Sequence, residues 1–305
     1  MVLARTLIVF TTHKVSGVWC KWHFKTNQGI KTLSNEEVGK MPANGAQQDL
    51  VDAIDHGDFP SWAVKVQIMS ETDARTYNIN PFNLTKIWPH KDYPLIEIGT
   101  LELNKNVNNY FSETEQVAFA PSNFVPGINA SPDKMLQGRL LAYQDAHRYR
   151  VGVNVNQIPV NAAKCPVNHY QRGGAFAGMG CPVGHNSGES SYTNAASTTS
   201  ASNFYPNDRA ENGAPTPVAY VAVPPMPILE QAWIKAYGQS EEDYHSQAGD
   251  LFRIMNDSQK SQLFGNIAGG LSQANESIQA RMLAQFAKAD PAYAEGVKKA
   301  IEALK

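Results

Sequence analysis

The 305-residue sequence predicts an α+β fold. An antiparallel sheet comes first, a pattern-poor extended stretch follows, and a helical subdomain ends the chain. Three observations predict this. Runs alternating apolar and polar residues crowd residues 1–115. Residues 116–228 carry little periodicity beyond one helix, and from 229 the apolar residues recur at helical spacing. At 42% hydrophobic and 18% charged, the composition is that of a globular chain with a sizeable core. A formal charge of −2 offers no broad basic surface, so nucleic acid is not expected as a partner. No apolar run approaches the ~20 residues of a membrane span.

In the first region, Thr6 to Phe10 form an apolar, β-branched patch that reads as a strand. It is shorter than the apolar core of a signal peptide. "VWCKWHF" (18–24), "WAVKVQIM" (62–69) and "YPLIEIGTLELN" (93–104) repeat the period of two. Between them, Ser34 followed by Glu36 and Glu37 starts a helix. "AQQDLVDAIDHG" places Leu50 and Ile54 on a core face and Gly57 at a C-cap. Strands interrupted by short helices favour an antiparallel sheet over repeated βαβ units.

The middle region opens with "APSNFVPGINASPDK", whose three prolines and one glycine punctuate an extended, wrapping segment. Ser131-Pro132-Asp133 supplies an N-cap, a proline at the first helical position and an acid in the first turn. Residues 173–217 are rich in Gly, Ser, Asn, Thr and Pro and read as a loop. In the last region Leu263, Ile267 and Leu271 make one apolar face, and Ile278, Met282 and Phe286 a second. Asp290-Pro291 starts the last helix, whose apolar face is Tyr293, Val297, Ile301 and Leu304.

The helix beginning near 131 carries "RLLAYQDAHRYR" (139–150). At about 100° per residue, Arg139, Tyr143, His147 and Arg150 fall in a stripe roughly 80° wide. Such a stripe faces either water or a ligand, and the four residues alone leave both open. An Arg one turn before a Tyr can hydrogen-bond the phenol oxygen and favour the phenolate. A phenolate held this way is a hard anionic ligand suited to ferric iron, and an Arg two turns on can pair with a carboxylate.

The surrounding words carry a resemblance. "NPFNLTKIWPHKDYPLIEIGTLELNKN" (80–106), "VNNYFSETEQVAFAPSNFVPGI" (107–128), "SPDKMLQGRLLAYQDAHRYRVG" (131–152) and "NQIPVN" (156–161) closely resemble the monofunctional haem catalases. The likeness resumes at "HYQRGGA" (169–175), "YPN" (205–207) and "NIAGGL" (266–271). It implies a partial antiparallel catalase β-barrel in 1–115, the family's wrapping segment with its proximal haem helix in 116–228, and a C-terminal α-helical domain in 229–305. It implies haem b as cofactor and hydrogen peroxide as substrate. Tyr143 is then the axial ligand of the haem iron, Arg139 its hydrogen-bond partner, and His147 and Arg150 haem contacts, with Arg150 on a propionate. Lys25, Trp88 and His90 match positions that bind NADPH in catalases that carry it. A homo-oligomer, tetrameric in the family, is implied as well.

The sequence departs from the family in places. Leu141 stands where Phe is usual, Gln144 where Pro is usual, and Ala120 where Asp is usual. The distal His, Ser and Asn motifs, of the "RVVHARG" and "N-x-P-x-F-F" kind, do not occur, so no catalytic residue is assigned. A distal His moves a proton between the peroxide oxygens, a role worth roughly 10²–10⁴-fold. The expectation is an N-terminally truncated catalase, weakly active or inactive. The alternative is a non-catalytic remnant that binds NADPH or a partner subunit. Three cysteines suit a reducing, intracellular compartment, peroxisome or cytoplasm. No targeting signal is recognised, and the closing "IEALK" is not the peroxisomal S-K-L. "CPVNH" (165–169) and "CPVGH" (181–185) depart from zinc-site spacing and read as an unliganded insertion.

Overall fold

A computed structural model describes residues 7–11, 17–30, 32–124, 128–162 and 243–304. Among these residues five strands form one sheet: β1 (Leu7–Thr11), β2 (Gly17–Thr26), β3 (Ser61–Ser70), β4 (Ile96–Glu102) and β5 (Ile128–Ala130), in the order β4-β3-β2-β1-β5. Every pairing is antiparallel. β2, β3 and β4 lie where the alternation predicts them, and β1 lies one residue on from the apolar, β-branched patch. β5 comes from the segment read as extended wrapping, and it pairs with β1.

Register separates two faces of the sheet. Trp19 lies opposite Met69, Lys21 opposite Gln67 and His23 opposite Lys65 on one face. Cys20 opposite Ile68, Trp22 opposite Val66 and Phe24 opposite Val64 make the other, wholly apolar one. The chain between β3 and β4 covers the first face. There Trp19, Met69, Ala74, Phe82 and Trp88 form a buried cluster, with Tyr77 and Tyr93 packed on it. Each such large side chain contributes about 1.5–3 kcal/mol on burial. Gln67 fixes this covering loop: its amide nitrogen donates to the carbonyls of Trp88 and Tyr93, and its oxygen pairs with His23 Nε2 at 2.8 Å.

Three short helices lie among the strands: α1 (Asn35–Lys40), α2 (Gly45–Asp55) and α3 (Glu71–Thr76). α1 starts at the predicted Ser34, which forms a reciprocal capping box with Glu37. Gly57, just past α2, takes a φ of +82° that glycine adopts without strain. Leu50 and Ile54 are half-buried, so the predicted core face of α2 is a partial one. A single π-helical turn, Phe111–Glu115, precedes the long helix α4 (Lys134–Val151). The N-cap of α4 is Asp133, two residues later than the sequence suggests, with its carboxylate accepting from Met135 N at 2.9 Å.

The described residues of the C-terminal region, 243–304, form four helices: α5 (Ser246–Ile254), α6 (Asp257–Leu271), α7 (Glu276–Ala289) and α8 (Pro291–Glu302). Ala268, Val297 and Ile301 are their buried centre, ringed by Phe264, Leu271, Leu283, Phe286 and Tyr293. The α8 face is as predicted except that Leu304 is exposed. The α7 face is rotated from the predicted one: Leu283 and Phe286 point inward while Ile278 and Met282 are exposed. Among the described residues no helix is long and apolar enough to cross a membrane. The whole Gly/Ser-rich stretch and both C-x3-H words lie outside the described residues.

Candidate functional site

The stripe on α4 divides into two pairs. Arg139 donates from Nη2 to Tyr143 Oη at 3.3 Å, with its guanidinium carbon 5.1 Å from the centre of the ring. Both side chains are half-buried. One turn on, the His147 ring meets Tyr143 edge to face at 5.9 Å.

His147 and Arg150 look elsewhere. His147 Nε2 donates to the Phe119 carbonyl at 2.9 Å. That fixes the tautomer, because Nδ1 then accepts from Arg150 Nη2 at 3.3 Å. Arg150 also donates to the carbonyls of Glu115 at 2.9 Å and Val117 at 2.7 Å. Gln144, on the same side, donates to Ser122 Oγ at 2.9 Å. These contacts stitch residues 115–122 along α4 and hold the helix at a fixed height over that segment.

Sequence reasoning took Asp133 for a helix-start acid, and the structure gives it a second part. Its side chain is buried, 2% exposed, at the foot of α4. Burial raises its pKa, against the pull of the Met135 and Leu136 N–H groups and of the Arg139 and Lys21 charges. Arg139, which reaches Tyr143, is six residues further along the chain, and its charge acts on the Asp133 carboxyl.

Lys25, Trp88 and His90 come from β2 and the loop covering the sheet. Trp88 is a core residue, 1% exposed, with Nε1 donating to the Pro81 carbonyl at 3.3 Å. His90 meets His23 edge to face at 6.1 Å. The pKa of His90 is lowered by desolvation and then by Lys25. That of His23 is lowered by desolvation, against its Gln67 hydrogen bond, with Lys25, Lys21 and His90 adding to the fall. The charges acting on this pair of imidazoles are therefore all cationic. Among the described residues no group of three or more His, Cys, Asp or Glu is placed to hold a metal ion.

The family model for catalase matches residues 7–198, more than half of the chain. The chain belongs to the catalase family. A second family model, "Catalase-related immune-responsive", matches residues 238–301. Catalase A of Pseudomonas putida is 48% identical over 287 residues, covering 93% of this chain and 56% of that relative. The catalase of the Onchocerca volvulus endobacterium is 47% identical, with 93% and 55% covered. The chain thus spans about half the length of the curated relatives it matches. Among solved structures, a bacterial catalase superposes with a TM-score of 0.76 at 33% identity, over 99% of this chain and 60% of its own. Catalase A from Saccharomyces cerevisiae gives 0.69 at 32%, over 97% and 59%.

Proposed function

We propose that this catalase-family chain carries the proximal half of a haem site for the conversion of hydrogen peroxide to water and oxygen, with Tyr143 as the iron ligand. The single observation that carries this reading is the Arg139–Tyr143 pair: a half-buried phenol oxygen 3.3 Å from a guanidinium nitrogen on a rigid helix. The donor set fits the group. A phenolate held by a cation is a hard, anionic ligand matched to ferric iron, and tyrosine is the haem ligand of the catalases. Arg150 has five N–H donors, of which three are engaged by Glu115, Val117 and His147. Two remain for a carboxylate such as a haem propionate, and His147 holds the Arg150 guanidinium in place. When bound, haem iron supplies the two-electron redox chemistry of peroxide disproportionation. The chain's own residues supply the ligand, its orientation and its charge balance.

The sequence holds no distal His motif to move the peroxide proton. A polypeptide of residues 1–305 is therefore expected to bind haem through Tyr143 and to turn peroxide over at least ~10²-fold more slowly than a full-length relative. Haem titration of the wild type and of Tyr143→Phe, with oxygen evolution measured beside it, tests this. Loss of the tyrosinate haem spectrum in Tyr143→Phe, with folding intact by circular dichroism, is the expected result. Equal haem binding by the two proteins would overturn the ligand assignment, and turnover at the relative's rate would overturn the slow-turnover expectation.

A second reading draws on the cationic surroundings of His23 and His90. Lys25 and His90 are suited to an anionic cofactor such as NADPH, with Trp88 shaping the floor from inside the core rather than by surface contact. Fluorescence titration with NADPH checks it: saturable binding that Lys25→Glu abolishes is expected, and absence of binding to the wild type removes the reading.

A further inference from the structure

One side-chain amide holds both ends of the turn formed by residues 88–93. Gln67, wholly buried on β3, donates from Nε2 to the Trp88 carbonyl at 3.1 Å and to the Tyr93 carbonyl. Between these points the turn closes on itself, with Asp92 N and Tyr93 N both donating to the Pro89 carbonyl at 3.0 Å. It therefore moves as a unit. Its root is fixed separately. Lys21 Nζ donates to the Lys86 carbonyl at 3.0 Å, and Gln247 bonds both backbone groups of Ile87.

With both Nε2 hydrogens committed to carbonyls, Gln67 has only its oxygen left for His23. His23 Nε2, 2.8 Å away, is then the donor, and the imidazole proton sits on that nitrogen. Nδ1 is left as a buried lone pair without a partner among the described residues, on a side chain only 5% exposed. A second proton on this ring would create a buried N–H with nothing to accept it. The surrounding charges oppose it as well. Lys21 and Lys25 flank His23 on the same face of β2, and His90 meets it from the turn at 6.1 Å. On β3 Lys65 lies directly opposite, and beyond it on β4 stands Glu97, already held by Lys65 Nζ at 2.9 Å. The turn itself also carries Lys91 and Asp92, and Asp92 accepts from Tyr77 Oη at 2.7 Å. The charges acting on His23 are those of Lys25, Lys21 and His90, with no carboxylate among them.

We infer that His23 and Gln67 form a pH-sensitive latch on the turn 88–93, shut while His23 is neutral and released when the imidazole takes up a second proton. A protonated His23 finds neither an acceptor nor a compensating anion where it lies, so it reaches water only by leaving its site. Leaving breaks the bond to Gln67, whose amide can then rotate, and the Trp88 and Tyr93 carbonyls lose their shared donor. The turn opens about its fixed root and takes His90 and Lys91 with it. The latch rests on neither cofactor reading above. In the shut state burial lowers the pKa of His23, and in the released state it titrates near its ordinary 6.5. Each pH unit below 6.5 therefore favours opening by up to about tenfold.

Hydrogen exchange read by mass spectrometry at pH 7.5 and 5.5, corrected for the chemical exchange rate at each pH, tests this on the whole chain. In the wild type the peptide covering 88–93 should exchange about tenfold faster at pH 5.5, while the peptide covering α8 stays protected. In His23→Gln, whose amide can donate to Gln67 and has no proton to gain, the turn should exchange alike at both values. Should that variant fail to fold by circular dichroism, the wild type decides alone: the His23 ring, followed by nuclear magnetic resonance, and the exchange of the turn should share one midpoint. Exchange of the turn that ignores pH, or a rise that persists in His23→Gln, would overturn the inference. Two different midpoints would do the same, as would an α8 that exchanges in step with the turn, the mark of global unfolding.

Discussion

Around Tyr143 the surroundings of a side chain are set by neighbours too ordinary to signal them. Spacing alone put Arg139, Tyr143, His147 and Arg150 on one side of a helix, and the helix is there. The sequence could not say that the stripe divides, because His147 and Arg150 find their partners in backbone carbonyls of residues 115–119, and carbonyls have no sequence signature. Asp133 was legible as a helix start, and its burial at the foot of α4 was not. His23 carries a prediction at this scale. It is 5% exposed and its pKa is lowered chiefly by desolvation, so the unfolded chain takes up a proton at higher pH than the folded one. With more protons bound in the unfolded state, stability rises with pH in that window. It is fully present above the ordinary imidazole value of 6.5 and lost as pH falls below it. His90 shifts in the same direction and adds to the effect. Urea unfolding between about pH 5 and 7.5 should show this fall, and His23→Gln should flatten it. An unchanged slope in the variant would assign the pH dependence to other groups.

The sequence marks its elements unevenly, for physical reasons. Strands β2, β3 and β4 announced themselves through a period of two, which one covered face and one apolar face impose. β5, three residues long, has too few positions to alternate, and only its pairing with β1 makes it a strand. On α7 the spacing of Ile278, Met282 and Phe286 was a fair helical face, yet Leu283 and Phe286 are the pair that packs. An alanine-rich helix fits more than one rotation, and its neighbours choose. Close approach chooses here. A Cβ built on Gly249 would lie 2.1 Å from the Ala289 carbonyl oxygen, so α5 meets the end of α7 backbone to backbone. Gly265, on α6, has open space around it. The same substitution at the two sites should therefore have opposite signs. Gly249→Ala should destabilise by about 1–3 kcal/mol through overpacking against a group that cannot rotate away. Gly265→Ala should stabilise by roughly 0.5–1 kcal/mol through helix propensity. Thermal unfolding of the two variants decides, and destabilisation of similar size in both would remove the close-packing account.

At the scale of the molecule, the C-terminal helices are tied to the loop that covers the sheet by few but reciprocal bonds. Ile87 N donates to Gln247 Oε1 at 2.9 Å, and Gln247 Nε2 donates back to the Ile87 carbonyl at 3.1 Å. One amide side chain thus satisfies both backbone groups of a residue, as a neighbouring strand would. Lys86 beside it donates to the Asp243 carbonyl and stands 5.1 Å above the Tyr244 ring. The pKa of Asp243 is lowered to about 2, by the hydrogen bonds of Ser246 and His245 before the Lys86 charge, so the start of α5 is held as an anion. Further along, Gln262 donates to the Leu33 carbonyl at 2.9 Å, and Asn35 to Asn266 at 3.1 Å. The family likeness on both sides of this joint, in residues 7–198 and 238–301, fits a junction of two cores rather than one. The aromatic cluster under the sheet and the helical centre around Val297 are separate clusters, and among the described residues these polar ties run between the two regions. Gln247→Ala removes two bonds and leaves two backbone groups of Ile87 without a protein partner, a loss of about 1–3 kcal/mol. It should act on the joint and spare both cores. Limited proteolysis should cut the variant faster between the two regions while the aromatic circular dichroism of the sheet cluster stays as in the wild type. Proteolysis at the wild-type rate would mean that the helices are held by contacts other than this one.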